Sequence, residues 1–250
     1  MALLSAVLIV KNEEKNIVEC LRRLAFCGEI VVVDSGSADR TVSLAKDLGA
    51  AVYSNPFVDY ASQKNFAIGK ASSDWVFLID ADERVSDELA REIIEILKHP
   101  TADGYLVKRM NRIFGRWMKH GANRDDFQLR LVRRQKAMFD GCVHERIRLE
   151  GPCPRLSNVL RHHSTESVSS YMKKLNLYTS LEVKVLEERH ASTAAGKMKT
   201  RPLQFFFYRA FWQRGLRDGM EGFLFCILSA YYEFIRQAKH WGKQRDKKVI

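Results

Sequence analysis

The chain lacks the glycine-rich loops by which many α/β proteins hold phosphate. Its first strand-like run, Leu3–Val10, leads into Lys11-Asn12-Glu13-Glu14 and not into G-x-G-x-x-G, which argues against a dehydrogenase-type dinucleotide site. No G-x-x-x-x-G-K-[ST] occurs, so a phosphate-loop NTPase is excluded, and the glycine-rich signature of sugar nucleotidyltransferases is missing as well. Cysteine is scarce and odd in number: Cys20, Cys27, Cys142, Cys153 and Cys226 are scattered, as in a reducing cytoplasm, and form no disulfide framework. Cys142, His144, Cys153, His162 and His163 fall into no paired C-x₂₋₄-C spacing, so structural zinc is not expected. No stretch reaches the ~20 apolar residues that span a bilayer. The N-terminus has no basic region ahead of its apolar run, and no signal peptide is expected. Internal repeats and extended low-complexity segments are absent too.

What is present is positive charge, 41 Lys and Arg against 30 Asp and Glu, a formal net of +11 that calls for an anionic partner. Nucleic acid, anionic lipid and phosphorylated substrates all qualify. A basic nucleic-acid-binding protein without catalysis is the alternative from another class, but no helix-turn-helix, zinc-finger or ribonucleoprotein signature supports it.

The first half alternates strand-like and helix-like segments. Strands are expected at Leu4–Val10, Glu29–Asp34, Ala51–Ser54 and Trp75–Asp80. Helices are expected at Asn16–Leu24, Ala38–Leu48, Tyr60–Lys70 and Asp87–Leu97, the last with Leu89, Ile93 and Ile96 or Leu97 inward. That alternation predicts an α/β fold, a mostly parallel sheet flanked by helices. Tyr105–Lys108 and Gln128–Arg133 read as further strands, joined by a loop with Trp117, His120 and Gly121 that could act as a lid. After Pro152 and Pro154 the chain reads as helical, with Tyr171, Leu175, Tyr178, Leu181 and Val185 at helical spacing in Ser167–Glu188. A catalytic domain over 1–150 and a helical extension over 151–250 follow.

Polar groups gather at strand ends: Asn12 and Glu13, then Asp34 and Ser35, then Asp80 and Asp82. In an extended chain, residues i and i+2 point the same way, so Asp80 and Asp82 can aim two carboxylates beyond the edge where α/β sheets bind ligands. Two such acids need a cation between them, and a hard ion that also holds phosphates, Mg²⁺ or Mn²⁺, fits. Each position also reads as a helix cap, and for Asp39, ahead of Arg40-Thr41, the cap is the better reading.

Val7–Asn16, Val31–Thr41, Gln63-Lys64-Asn65-Phe66-Ala67 and Leu78–Glu83 occur in that order, and together they resemble the nucleotide-sugar domain of glycosyltransferase family 2, of GT-A fold. Phe139-Asp140-Gly141-Cys142-Val143-His144-Glu145 and Arg214-Gly215-Leu216-Arg217-Asp218-Gly219 resemble the bacterial branch that builds lipopolysaccharide core, the β-glucosyltransferase-like enzymes. The resemblance implies a UDP-linked sugar donor and inversion at the anomeric carbon. It assigns Asn12, Glu13 and Asp34 to the uridine, Gln63 and Lys64 to the donor, and Asp80 and Asp82 to the metal and the ribose–diphosphate. Ser35 stands where many relatives carry a second acid.

The acceptor hydroxyl must lose a proton as it attacks. Glu145, after the strand-like Phe139–Val143 and in the region of the family's acceptor-side acid, is the expected base, with His144 the alternative. Arg130, Arg133 and Arg134 suit the diphosphate or an anionic acceptor. The expected acceptor is a lipid-linked saccharide such as lipopolysaccharide inner core, or else polyprenyl phosphate or protein. The apolar, aromatic Phe223–Ile235, flanked by basic residues, is too short to span a bilayer. It is expected to rest on an anionic membrane surface, at the cytoplasmic face of the inner membrane.

Overall fold

The computed structural model describes residues 4–121, 126–141, 146–188 and 195–249. The chain divides into two compact units, one of residues 1–110 with 126–162, the other of 111–125 with 163–250. The second unit thus draws in a loop from within the span expected to be catalytic.

The first unit is built on strands β1 (Leu4–Val10), β2 (Glu29–Asp34), β3 (Ala51–Ser54), β4 (Trp75–Leu78) and β5 (Glu83–Arg84), with helices α1 (Ile17–Arg22), α2 (Thr41–Asp47) and α3 (Tyr60–Lys70) between them and α4 (Asp87–Lys98) after β5. Strands β1 to β4 are mutually parallel in the order β3-β2-β1-β4, with Val10 beside Asp34 and Leu4 beside Trp75. The side chains of β1, β2 and β4 are mostly buried because both faces are covered, which is why they read as Val, Ile and Leu runs, while the edge strand β3 is only half-buried. Ser86 caps α4 through Leu89 N–H at 3.2 Å, and the helix turns Leu89, Ile93 and Leu97 inward, so of the two candidates Leu97 is the buried one.

Beyond β4 the sheet continues through β8 (Phe127–Arg133), β6 (Gly104–Ile113), β11 (Arg155–Thr165) and β5. Strand β8 runs antiparallel to β4, placing Arg133 beside Trp75 and Leu131 beside Phe77. A separate two-stranded ribbon pairs β9 (Phe139–Asp140) with β10 (Arg146–Ile147). The helical reading after Pro154 is corrected here: Arg155–Thr165 is an eleven-residue strand. Its polar composition hides a partnership with β5 and β6 that only tertiary structure supplies.

The second unit holds the end of β6 with β7 (Arg116–Trp117), and the helices α5 (Val168–Glu188), α6 (Ala195–Phe207) and α7 (Gly219–Val249). A π turn, Tyr208–Trp212, and a 3₁₀ turn, Gly215–Asp218, join the last two. On α5 the buried residues are Leu175, Thr179 and Val183, a face rotated from the one expected. The loop around His120 is clamped: the buried Asp218 accepts from the backbone N–H of Lys119 (3.1 Å) and His120 (2.8 Å) and lies 3.1 Å from His120 Nδ1.

Phe223–Ile235 lies inside α7, which buries Cys226, Ser229 and Glu233. More exposed apolar residues precede it, with Phe211 61% and Trp212 75% exposed on the π turn. Among the described residues, no helix is long and apolar enough to cross a membrane.

Candidate active site

Strand β4 ends at Leu78, two residues short of the expected end, and the acids follow it in a turn. The Ile79 N–H still bonds to Val7 O at 3.2 Å. Alternation survives the turn: Ile79, Ala81 and Glu83 are buried, while Asp80 and Asp82 are partly exposed.

Glu83, fully buried on β5, organises the corner. One carboxylate oxygen accepts the Asp80 backbone N–H at 3.0 Å. The other is bonded by Arg130 Nη2, which also reaches Asp80 Oδ2 at 2.9 Å. Arg109, from β6, places Nη1 3.8 Å from Glu83 Oε1 and donates through Nε to Asp126 at 2.9 Å. Gln128 donates to the remaining Asp126 oxygen at 2.8 Å. Across the β5–β11 register His162 faces Glu83, and its Nε2 lies 3.2 Å from Asp82 Oδ2.

Arg130 reaches this corner through a β-bulge. Tyr105 pairs with Leu131 and Leu106 with Leu129, leaving Arg130 as the extra residue of β8. Bulges re-aim side chains beside functional sites, and here Arg130, Leu131 and Val132 are buried in succession. Arg133 lies at the opposite end of β4. It donates to Asp103 at 2.8 Å and stacks on Trp75. Arg134 donates to Ser73 O at 2.9 Å, also away from the acids.

The charges shift one another. Desolvation favours a neutral Asp80, but Arg130, then Lys64 and Arg109, outweigh it and hold the carboxyl well below the usual carboxylate range. Burial pushes Glu83 up, with Asp80 adding to the effect against Arg130 and His162. Burial also opposes the charge on Arg130, and Glu83 and Asp80 overcome it, so the guanidinium stays protonated.

The other rim residues form bracing loops. Asn12, at φ 56°, accepts the Ala38 N–H on Oδ1 (2.8 Å) and donates its own N–H to Ser37 Oγ (2.8 Å). Asp34 accepts from the backbone N–H of Gly36 (2.9 Å) and Ser37 (3.0 Å). Glu13 accepts from Asn16 Nδ2 at 2.8 Å, and Asn16 in turn accepts from Arg84 at 3.3 Å. Asp39 accepts the Thr41 N–H at 3.0 Å and the Glu14 N–H at 3.2 Å, but the N-cap position of α2 is Arg40, one residue later than expected.

The Gln63-Lys64-Asn65 run on α3 works in three directions. The buried Gln63 donates to Ser35 Oγ (2.9 Å) and Asn55 O (3.0 Å). Lys64 lies over the Phe139 ring, 4.9 Å from its centre. Asn65 pairs with both backbone groups of Phe139, at 2.8 and 2.9 Å. The ribbon strand leading toward residues 142–145 is therefore tied to α3. His144 and Glu145 themselves lie outside the described residues.

Among the described residues, no group of three or more His, Cys, Asp or Glu gathers as a metal cage. Asp80 and Asp82 offer hard oxygens from two carboxylates. That suits an ion whose remaining positions are filled by water and phosphate.

The glycosyl transferase family 2 model matches residues 5–153. The chain belongs to glycosyl transferase family 2. The matched span contains every element of the acid corner except β11 with His162. This family 2 chain is 34% identical to the lipopolysaccharide core biosynthesis glycosyltransferase LpsC of Rhizobium meliloti, over 98% of this chain and 94% of that one. It is 30% identical to an uncharacterised glycosyltransferase of Rickettsia typhi, over 96% and 87%. A solved glucosyl-3-phosphoglycerate synthase of Mycobacterium tuberculosis is 27% identical over 44% of each chain, with a TM-score of 0.38.

Proposed function

We propose that this glycosyltransferase moves a hexose, glucose favoured, from a UDP-linked donor to a lipid-linked saccharide such as lipopolysaccharide inner core, with inversion at the anomeric carbon. The observation that carries the reading is the partly exposed Asp80–Asp82 pair at the ligand-binding edge of the sheet, held by Arg130 and His162. Similarity along nearly the whole of LpsC supports the acceptor class.

Asp80 and Asp82 would hold Mg²⁺ or Mn²⁺ together with the donor diphosphate. When bound, such an ion neutralises the charge that develops on the leaving nucleoside diphosphate. Arg130 keeps Asp80 ionised and fixed without a large rearrangement on binding. Asn12, Glu13 and Asp34 frame the uridine end, and Gln63 and Lys64 lie on the donor side. Of the two arginines, Arg130 stands beside Asp80 at the diphosphate end, whereas Arg133 pairs with Trp75 at the far end of β4. Glu145 takes the proton of the attacking hydroxyl, with His144 the other choice.

The helical unit would rest on the anionic cytoplasmic face of the inner membrane, close to a lipid-anchored acceptor. Exposed aromatic residues beside basic ones support this. A melting-temperature screen of UDP-, GDP- and dTDP-sugars with and without Mn²⁺, followed by product analysis on truncated lipopolysaccharide, tests the reading. The largest rise should come from UDP-glucose with Mn²⁺, since a ligand bound by the native state raises its melting temperature. A rise with no UDP sugar would refute the donor assignment.

A further inference from the structure

The loop around His120 and the Arg214–Gly219 run take no part in the acid corner, and the structure joins them to each other within the second unit. The buried Asp218 meets the loop at three points. Its Oδ1 accepts the Lys119 N–H at 3.1 Å, its Oδ2 accepts the His120 N–H at 2.8 Å, and Nδ1 of the His120 ring lies 3.1 Å from Oδ1. The Gly121 N–H adds a bond to Gln213 O at 2.9 Å. The turn that carries Asp218 is strained and tightly packed. Arg214 is in the left-handed region, φ 59°, and a Cβ on Gly215 would meet Cys226 Sγ at 2.7 Å and Arg209 O at 2.8 Å. Such strain persists only where the surrounding structure holds it, and it gathers at sites that must place one side chain. The side chain placed here is Asp218.

A backbone clamp needs only the two N–H bonds, and the ring adds chemistry to it. A carboxylate oxygen accepts, so Nδ1 is the ring nitrogen that carries the proton, and in the neutral imidazole Nε2 then keeps its lone pair. The His120 side chain is 33% exposed against 3% for Asp218. With the Nδ1 edge turned to the buried acid, the exposed edge is the one that holds Nε2. A buried carboxylate that fixes the tautomer and aim of an imidazole is a recurrent device for presenting Nε2 to a ligand. A lone pair there accepts from a hydroxyl and repels a phosphate or carboxylate oxygen.

The acceptor suits that hydroxyl better than the donor does. The family 2 model ends at residue 153, short of Asp218, whereas the similarity to LpsC covers 98% of this chain. The loop also leaves the first unit after Met110 and returns at Asp126, and at that exit Arg109 bonds Asp126 and faces Glu83.

We propose that His120 and Asp218 form a subsite for the acceptor saccharide, in which His120 Nε2 accepts from an acceptor hydroxyl and Asp218 is the positioning residue that aims the ring. The choice of a saccharide acceptor rests on the glycosyltransferase reading above. The choice of a hydroxyl rests on the dyad.

Nitrogen NMR of the histidine rings in the full chain tests the subsite, with deacylated, core-truncated lipopolysaccharide as probe, with and without saturating UDP and Mg²⁺. His120 should show a protonated Nδ1 and a bare Nε2, and the probe should move the Nε2 resonance. Calorimetry of two variants adds the magnitude. His120→Asn puts an amide N–H where Nδ1 stands and keeps the bond to Asp218, but has no counterpart of Nε2. It should bind the probe about fivefold more weakly, as loss of one neutral hydrogen bond predicts, with the melting temperature and UDP affinity of wild type. Asp218→Asn turns an amide N–H to the ring, so the ring proton should move to Nε2 and the probe should again bind about fivefold more weakly. A merely structural Asp218 would leave the tautomer as it is.

The proposal is overturned if the bound probe leaves Nε2 unmoved, or if His120→Asn binds it as well as wild type does. In either case the acceptor reading would stand and the dyad would be a clamp alone. If His120→Asn does not fold, the wild-type Nε2 resonance still decides. No binding of the probe to wild type would overturn the acceptor class and the subsite together. Failure of UDP to bind would refute the donor assignment, and the response of Nε2 to the probe would still decide the subsite.

Discussion

Arg130 Nη2 lies 2.9 Å from Asp80 Oδ2 while also bonding the fully buried Glu83. One guanidinium thus joins a core acid to a rim acid, and the rim acid is held by a structural element that exists for the core one. Removing Arg130 takes from the buried Glu83 its closest cation and leaves only the more distant Arg109, at 3.8 Å, to offset the charge. Arg130→Met should therefore cost about 3–5 kcal/mol of stability in urea unfolding. Adding Glu83→Leu should recover most of that loss without restoring transfer activity. Equal stability of wild type and Arg130→Met would contradict the pairing.

The same pairing sets a pH dependence. Asp80 titrates lower in the folded chain than the unfolded value of about 4. Its contribution is therefore present above pH about 4 and is lost as pH falls through the lowered folded value. Asp80→Asn should flatten the acid limb of the stability curve below about pH 4 and leave the neutral region parallel to wild type. Superimposable acid limbs would show that Asp80 is not held ionised by Arg130.

Much of this site can be read in the sequence, and the part that cannot has a physical cause. The Asp80–Glu83 run and the strand ends at Asn12 and Asp34 announce themselves, because they are local and follow apolar runs. The division of labour between Arg130 and Arg133 does not. In regular alternation, Arg133 would share a face with Leu129 and Leu131 and Arg130 would take the other. The bulge at Arg130 breaks that count, and the antiparallel register sends Arg133 to the far end of β4. His162 is invisible for another reason. It belongs to β11, whose polar sequence becomes a strand only by pairing with β5 and β6. Arg109 and Asp126 meet across seventeen residues of sequence, a contact that no spacing rule marks.

In the helical unit, Gly222 and Gly242 should respond oppositely to alanine. A Cβ on Gly222 would fall 2.1 Å from Gly215 O, a backbone atom that cannot simply turn aside. Gly222→Ala should cost about 1–3 kcal/mol or more through overpacking. A Cβ on Gly242 meets nothing within 4 Å, inside α7. Gly242→Ala should stabilise by about 0.5–1 kcal/mol. Circular-dichroism melts of the two variants decide the matter: an unchanged or raised melting temperature for Gly222→Ala would contradict the close approach there, and a drop for Gly242→Ala would contradict the open space at that position.

Membrane contact should depend on the π turn more than on the middle of α7. Phe211→Ser with Trp212→Ser should reduce flotation with phosphatidylglycerol vesicles, at low salt, by about tenfold or more, given ~2 kcal/mol or so for burying each large side chain. Tyr231→Ser should have the smaller effect, because its helix already packs other faces inward. Flotation that survives the double substitution would place the membrane contact elsewhere.

The central claim is that Asp82, together with Asp80, holds a divalent ion that binds the nucleotide diphosphate. Calorimetric titration of UDP into wild type and Asp82→Ala, each in Mn²⁺ and in EDTA, tests it most directly. The account predicts that Mn²⁺ raises UDP affinity in wild type by at least about tenfold, the scale of a charge-assisted contact. It predicts no such gain in Asp82→Ala, with both proteins melting at the same temperature. UDP affinity that is equal in Mn²⁺ and EDTA for wild type, or a full Mn²⁺ gain in Asp82→Ala, would contradict it.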